Sequence, residues 1–162
     1  MNYLRISIGI FIALAASRFI PHPPNFTSLI ALSFYIPAIL GVKFIPMVVL
    51  SFLITDLFLG FHNTLFFTWG SVVLIGYLSN YLNYNPLKRL SGATIGALLF
   101  FIITNFGVWI LGDMYDQNID GFLLCYTLAL PFFLNSLVST IIFSVVIEGL
   151  FKLNFIKNLI KI

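Results

Sequence analysis

The stretch from Gly92 to Leu111 reads GATIGALLFFIITNFGVWIL, 20 residues without one charged side chain. The hydrocarbon core of a bilayer is about 30 Å thick, and a helix crosses it in roughly 20 apolar residues. The segment therefore has both the length and the chemistry of one transmembrane helix. Polar sequence bounds it on each side. Before it lies the turn Asn83 to Ser91, which holds Pro86, Lys88 and Arg89, and after it the loop Gly112 to Gly121. Working outward, the same apolar pattern recurs. Helices are expected over about Phe122 to Phe151, with a possible bend at Pro131, and over about Thr64 to Leu82. Further upstream they are expected over about Phe44 to Phe61, with Pro46 tolerated in the first turn, and over about Phe26 to Leu40, with Pro37 near its end. The first helix, about Leu4 to Ile20, stops at Pro21, Pro23 and Pro24, because proline has no N–H and clashes with the preceding turn.

The composition agrees with that pattern. The chain has 162 residues, 60% of them hydrophobic and 8% charged, with a mean hydropathy of +1.08. Soluble domains carry about 25% charged residues. The charges here cannot cover a water-facing surface, and the length allows no separate soluble domain. The expectation is an all-α, polytopic membrane protein of about six transmembrane helices: one domain over 1–151 and a tail over 152–162. In the tail, Lys152, Lys157 and Lys161 stand among Phe155, Ile156, Leu159 and Ile160. That pattern suits a short amphipathic helix on an anionic leaflet. Arg5, the apolar run from Ile6 and Ala13-Leu14-Ala15 resemble a signal peptide. The apolar run continues to Ile20, which favours an uncleaved first helix. Cys125 is the only cysteine, so no internal disulfide forms.

The loops predict orientation. Six crossings place Arg5, Lys43, Lys88, Arg89, Lys152, Lys157 and Lys161 on one side and Arg18 alone on the other, seven against one. Basic residues collect on the cytoplasmic side, so both termini are expected inside a bacterial inner membrane. The net charge of +3 is spread over short loops, which excludes a nucleic-acid patch. No GxxxxGK[ST], HExxH or GxSxG motif occurs, and two histidines with one cysteine do not space as a metal site. The chain is read as no enzyme, without cofactor or metal, and ATP-driven work would need ATPases on other chains.

Polar side chains within a bilayer are costly and usually face the bundle interior. Three groups need a reason, all toward the predicted outer side. Arg18 and Asp56 can pair across two helices. His22 and Asn25 lie in one outer loop, and His62 and Asn63 in another, where the asparagines can also cap helices. Asn105, Trp109 and Asp113 follow an i, i+4, i+8 spacing, one face of the fifth helix, about Gly92 to Leu111, rising to the outer surface. Gly9, Ala13 and Ser17 form a small-residue stripe that allows close helix approach. Ser136, Thr140, Ser144 and Glu148 form a second stripe, read as interhelical bonding with Glu148 reaching the cytoplasmic interface.

Several of these segments resemble an uncharacterised family of bacterial membrane proteins. They are Arg18-Phe19-Ile20-Pro21-His22-Pro23-Pro24-Asn25-Phe26-Thr27, Thr55-Asp56-Leu57-Phe58-Leu59-Gly60-Phe61-His62, Phe100 to Trp109, and Cys125-Tyr126 through Asn135. That family is similar in turn to the S components of energy-coupling-factor transporters, six-helix proteins with both termini inside. The resemblance implies capture of a vitamin-like solute from outside and a complex with a T-type coupling subunit and ATPases. For such a capture subunit the polar groups toward the outer side, with Tyr126 and Asn135, are the expected ligand site: Arg18, His22, Asn25, Asp56, His62, Asn63, Asn105, Trp109, Tyr126 and Asn135. Docking would use Gly9, Ala13 and Ser17, where the S-component motif is Ala-x-x-x-Ala. Ser139-Thr140 stands where a Gly-Asp pair is expected, so the likeness carries no acidic role to helix 6. The alternatives are a non-transporting membrane scaffold or envelope-assembly protein of the same fold, and a self-sufficient small transporter.

Overall fold

The computed structural model describes residues 3–152. The amphipathic tail expected beyond Lys152 therefore lies outside the described residues. Six α-helices follow in order: α1 Tyr3–Phe19, α2 Leu29–Leu40, α3 Ile45–Leu59, α4 Leu65–Leu78, α5 Pro86–Leu111 and α6 Ile119–Lys152. A single 3-10 turn, Val42–Phe44, leads into α3. Among the described residues there is no strand. The all-α expectation holds.

Among the described residues, three spans are long and apolar enough to cross a bilayer: Val42–Leu59, Pro86–Leu111 and Ile119–Lys152. The solvent side of the molecule is inverted relative to a water-soluble protein. Phe58, Phe66, Leu87 and Ile119 are each more than 70% exposed. Ser33, Ser71, Ser79, Thr55, Ser139 and Asp56 are buried. Most of these inner hydroxyls donate to a carbonyl three or four residues back in their own helix, as Ser33 does to Leu29 and Ser71 to Phe67. Such bonds satisfy a polar atom where no water reaches it. Apolar outside, with small hydroxyl residues and Asp56 enclosed within, the chain is a membrane protein.

The short helix α2 occupies the centre. It touches every other helix of the bundle, and Leu29 to Tyr35 and Pro37 are all buried. Phe34 and Tyr35 are fully enclosed. At 12 residues α2 is about 18 Å long, shorter than the hydrocarbon core. Its N-terminal end is buried in protein, and the backbone groups at both ends find protein partners. At the N-terminus, Ser28 N–H donates to Ser17 Oγ at 3.1 Å, and the two hydroxyls lie 2.7 Å apart. At the C-terminus, Gly41 takes φ +95° and its N–H donates to the Pro37 carbonyl. Gly92 lets α5 close on this helix: a Cβ there would lie 2.4 Å from the Phe34 ring.

Helix starts depart from the sequence expectation where a side chain supplies a cap. α5 begins at Pro86, not Gly92, because Asn85 Oδ1 accepts from Lys88 N–H at 2.8 Å and Pro86 fits the first turn. α6 begins at Ile119, not Phe122, with Asn118 Oδ1 accepting from Gly121 N–H. α2 begins at Leu29, not Phe26, because Asn25 sits at φ +62° in a turn closed by Phe26 N–H to the Pro23 carbonyl. α4 ends at Leu78 rather than Leu82, where Asn80, Tyr81 and Leu82 make three-residue turns. Pro131 lies inside α6 without dividing it.

Candidate functional site

α1, α3 and α5 finish, and α2, α4 and α6 begin, at one end of the bundle. Between them lies a cavity of about 830 Å³. Its walls come from the α1 terminus, the α1–α2 loop, α3, the start of α4, the second half of α5 and the first half of α6. Phe52, Phe100, Phe101, Phe132 and Phe133 supply most of the aromatic surface. Polar atoms enter at separate points, through Arg18, Asn25, Asn105 and several hydroxyls.

Arg18 is held firmly. Its Nη1 lies 2.7 Å from Asp56 Oδ1 and also donates to Thr55 Oγ1 and, at 3.4 Å, to the Phe52 carbonyl. The guanidinium carbon stands 4.5 Å from the centre of the Phe52 ring. Asp56 is 1% exposed, and its second oxygen accepts from Trp69 Nε1 at 3.0 Å. Both carboxylate oxygens are thus used. A charged pair at this depth is tolerable only when fully bonded, and Trp69 completes it. The sequence reading missed Trp69. A tryptophan in an apolar helix was visible, but it stands 13 residues from Asp56 on the next helix.

Of the ten ligand-site residues expected from sequence, Arg18, His22, Asn25, His62 and Asn105 line the cavity, and Asp56, Asn63, Trp109, Tyr126 and Asn135 do not. His22 places Nδ1 2.7 Å from the Pro23 carbonyl and Nε2 3.4 Å from that of Arg18. His62 Nδ1 is 2.8 Å from Thr64 Oγ1, and Asn63 is exposed beside it. Asn105 Nδ2 donates to the Phe101 carbonyl of its own helix at 2.7 Å. Its Oδ1 has no partner among the described residues.

The other three residues join elements together. Trp109 Nε1 donates to the Asp116 carbonyl at 3.0 Å, and Tyr126 OH to the Ile102 carbonyl at 2.6 Å. Their rings form a ladder with Phe122, Phe101 and Phe133 along the α5–α6 seam, with neighbouring centres 4.6–5.5 Å apart. Asn135 Nδ2 donates to the Pro24 carbonyl at 3.0 Å, which ties the α1–α2 loop onto α6. The face drawn through Asn105, Trp109 and Asp113 stops at Trp109. Gly112 is extended, at φ −95° and ψ 152°, so Asp113 leaves the helix. Further lining residues that the sequence reading did not place at the site are Thr27, Thr64, Thr68, Thr104, Tyr115 and Ser136. Single Ser and Thr residues in apolar helices carry little signal, because most bond their own backbone.

Along α1, Gly9 and Ala13 are exposed, and a Cβ on Gly9 would meet nothing within 4 Å. Ser17, third in that stripe, is half-buried and engaged with Ser28. At the opposite end of the bundle, Arg89 and Glu148 form a bidentate pair, Nε–Oε1 2.7 Å and Nη2–Oε2 2.8 Å. The sequence reading placed Glu148 at an interface without this partner. Among the described residues, no group of three or more His, Cys, Asp or Glu could hold a metal ion.

No curated protein and no solved structure matches this chain. The sequence profile of one family, described as a family of unknown function (DUF6580), matches residues 2–160, nearly the full length. The chain belongs to that family.

Proposed function

We propose that this chain is a membrane-embedded capture subunit for a small solute, energised by ATPases on other chains through a T-type coupling subunit. The observation that carries this reading is the cavity. Small-ligand sites are mostly apolar concavities of about 300–1,000 Å³ with a few placed polar groups. The volume of about 830 Å³, the phenylalanine walls and the entry of Arg18, Asn25 and Asn105 fit that description. The unpartnered Asn105 Oδ1 offers an acceptor to the ligand. The loop charges support an outward-facing cavity in a multi-pass bacterial inner-membrane protein with both termini inside. Gly9 and Ala13, exposed on α1, support a docking face for the coupling subunit.

Native mass spectrometry of gently purified full-length chain tests the reading. A small molecule retained by the wild type and lost in Asn105→Ala, with helicity unchanged, is the expected result. No retained molecule, or equal retention by both, favours the second reading, a membrane scaffold of the same fold. Trp109, Tyr126 and Asn135 speak for that alternative, since each is bonded to backbone of a neighbouring segment.

A further inference from the structure

We infer that the ligand of this cavity is an organic monocarboxylate, with its carboxylate on Arg18 and its apolar body against the phenylalanine walls. The inference rests on the capture reading and names its solute class. It starts from the unequal use of the Arg18 guanidinium. All its bonds to the protein are made by one nitrogen, Nη1, which serves Asp56, Thr55 and the Phe52 carbonyl. Nε and Nη2 have no partner among the described residues, although Arg18 lines the cavity and is only 15% exposed. Neither nitrogen is among the fully enclosed polar atoms, so both donors stay accessible from the cavity and open to a ligand. A carboxylate accepts two parallel N–H groups in one plane, and Nε with Nη2 is one of the edges that can offer them.

The rest of the site restricts the partner further. Among the described residues no Asp or Glu lines the cavity, so no negative charge inside it repels an anion. Asp56 faces away, with both oxygens occupied. Asp113, Asp116 and Asp120 are exposed beyond the lining, where solvent screens them. Asp56 already neutralises Arg18, so the ligand is held by directed bonds and not by excess charge. That arrangement suits a single negative charge better than a phosphate dianion. The stack of Arg18 on Phe52 fixes the fork before the ligand arrives, which lowers the entropy cost of binding.

A matched ligand series provides the test. The full-length wild-type chain in lipid nanodiscs is titrated with 4-phenylbutyrate, 4-phenylbutyramide and 4-phenylbutylamine, one body with three heads. The carboxylate is expected to bind at least tenfold tighter than either of the others. Palmitate as a competitor separates the sources: displacement by palmitate alone assigns a bilayer-derived acid, and saturable 4-phenylbutyrate binding a soluble one, and either supports the inference. The variant Arg18→Met/Asp56→Met removes the pair without orphaning a charge and is expected to lose the head-group preference. Tighter binding of the amide or amine overturns the carboxylate assignment and leaves the capture reading standing. Absence of binding by both acids, or a preference that survives in the double variant, overturns the assignment as well. The capture reading is then decided separately by the retained-molecule measurement.

Discussion

Asp56 shows how much a single residue can determine in a membrane bundle. It is almost fully enclosed, and its charge is tolerated because Arg18 and Trp69 take one oxygen each. Replacing it with alanine leaves Arg18 partly buried without its counter-ion. Breaking a buried pair in this way costs about 3–5 kcal/mol. Asp56→Ala is therefore expected to unfold at markedly lower denaturant in detergent, and Arg18→Met/Asp56→Met to recover most of the loss. Equal stability of the single and double variants would show that the pair contributes nothing. The pairing was legible in the sequence, because two opposite charges toward the same side of an apolar bundle have few other ways to be satisfied. Trp69 was not, because its role depends on how α3 and α4 rotate against each other. The same holds for Trp109. By spacing it shares a helix face with Asn105, yet the indole turns to the α5–α6 seam and not to the cavity.

For elements, existence was easier to read than limits. Six apolar runs between polar turns were visible, since nothing else explains their lengths. The starts of α5 and α6 were set too late, by six and three residues, because asparagine caps at Asn85 and Asn118 extend helices into polar sequence. Close approach between elements was less legible still. Gly92 resembles Gly9 in sequence, but an added Cβ meets Phe34 at the first and nothing at the second. Gly92→Val is expected to destabilise by about 1–3 kcal/mol through overpacking. Gly9→Val is expected to leave thermal stability in detergent unchanged, and Phe34→Leu to relieve part of the Gly92→Val loss. If both glycine variants behave alike, the α2–α5 contact is wrong.

At the scale of the whole molecule, hydropathy counted the helices but could not say which one is central, since all six read as apolar. The cavity depends on that arrangement, and so only its end of the bundle was legible, through the loop residues His22, Asn25 and His62. Orientation is open to direct measurement. Cys125 is buried and should give little background to a thiol reagent. In intact cells, Gln117→Cys is expected to react with a membrane-impermeant maleimide and Lys88→Cys only after lysis. The opposite pattern would turn the cavity toward the cytoplasm. The enclosed helix α2 has a consequence for biogenesis. At 12 residues it is too short to partition stably into lipid as it leaves the ribosome. Its neighbours α4, α5 and α6 are all synthesised after it. Nascent chains stalled with α2 outside the ribosome and α4 still inside it are thus expected to hold this segment weakly, as protease accessibility at the translocon would reveal. Chains extended past α6 are expected to protect it, so that insertion and tertiary assembly become a single late event.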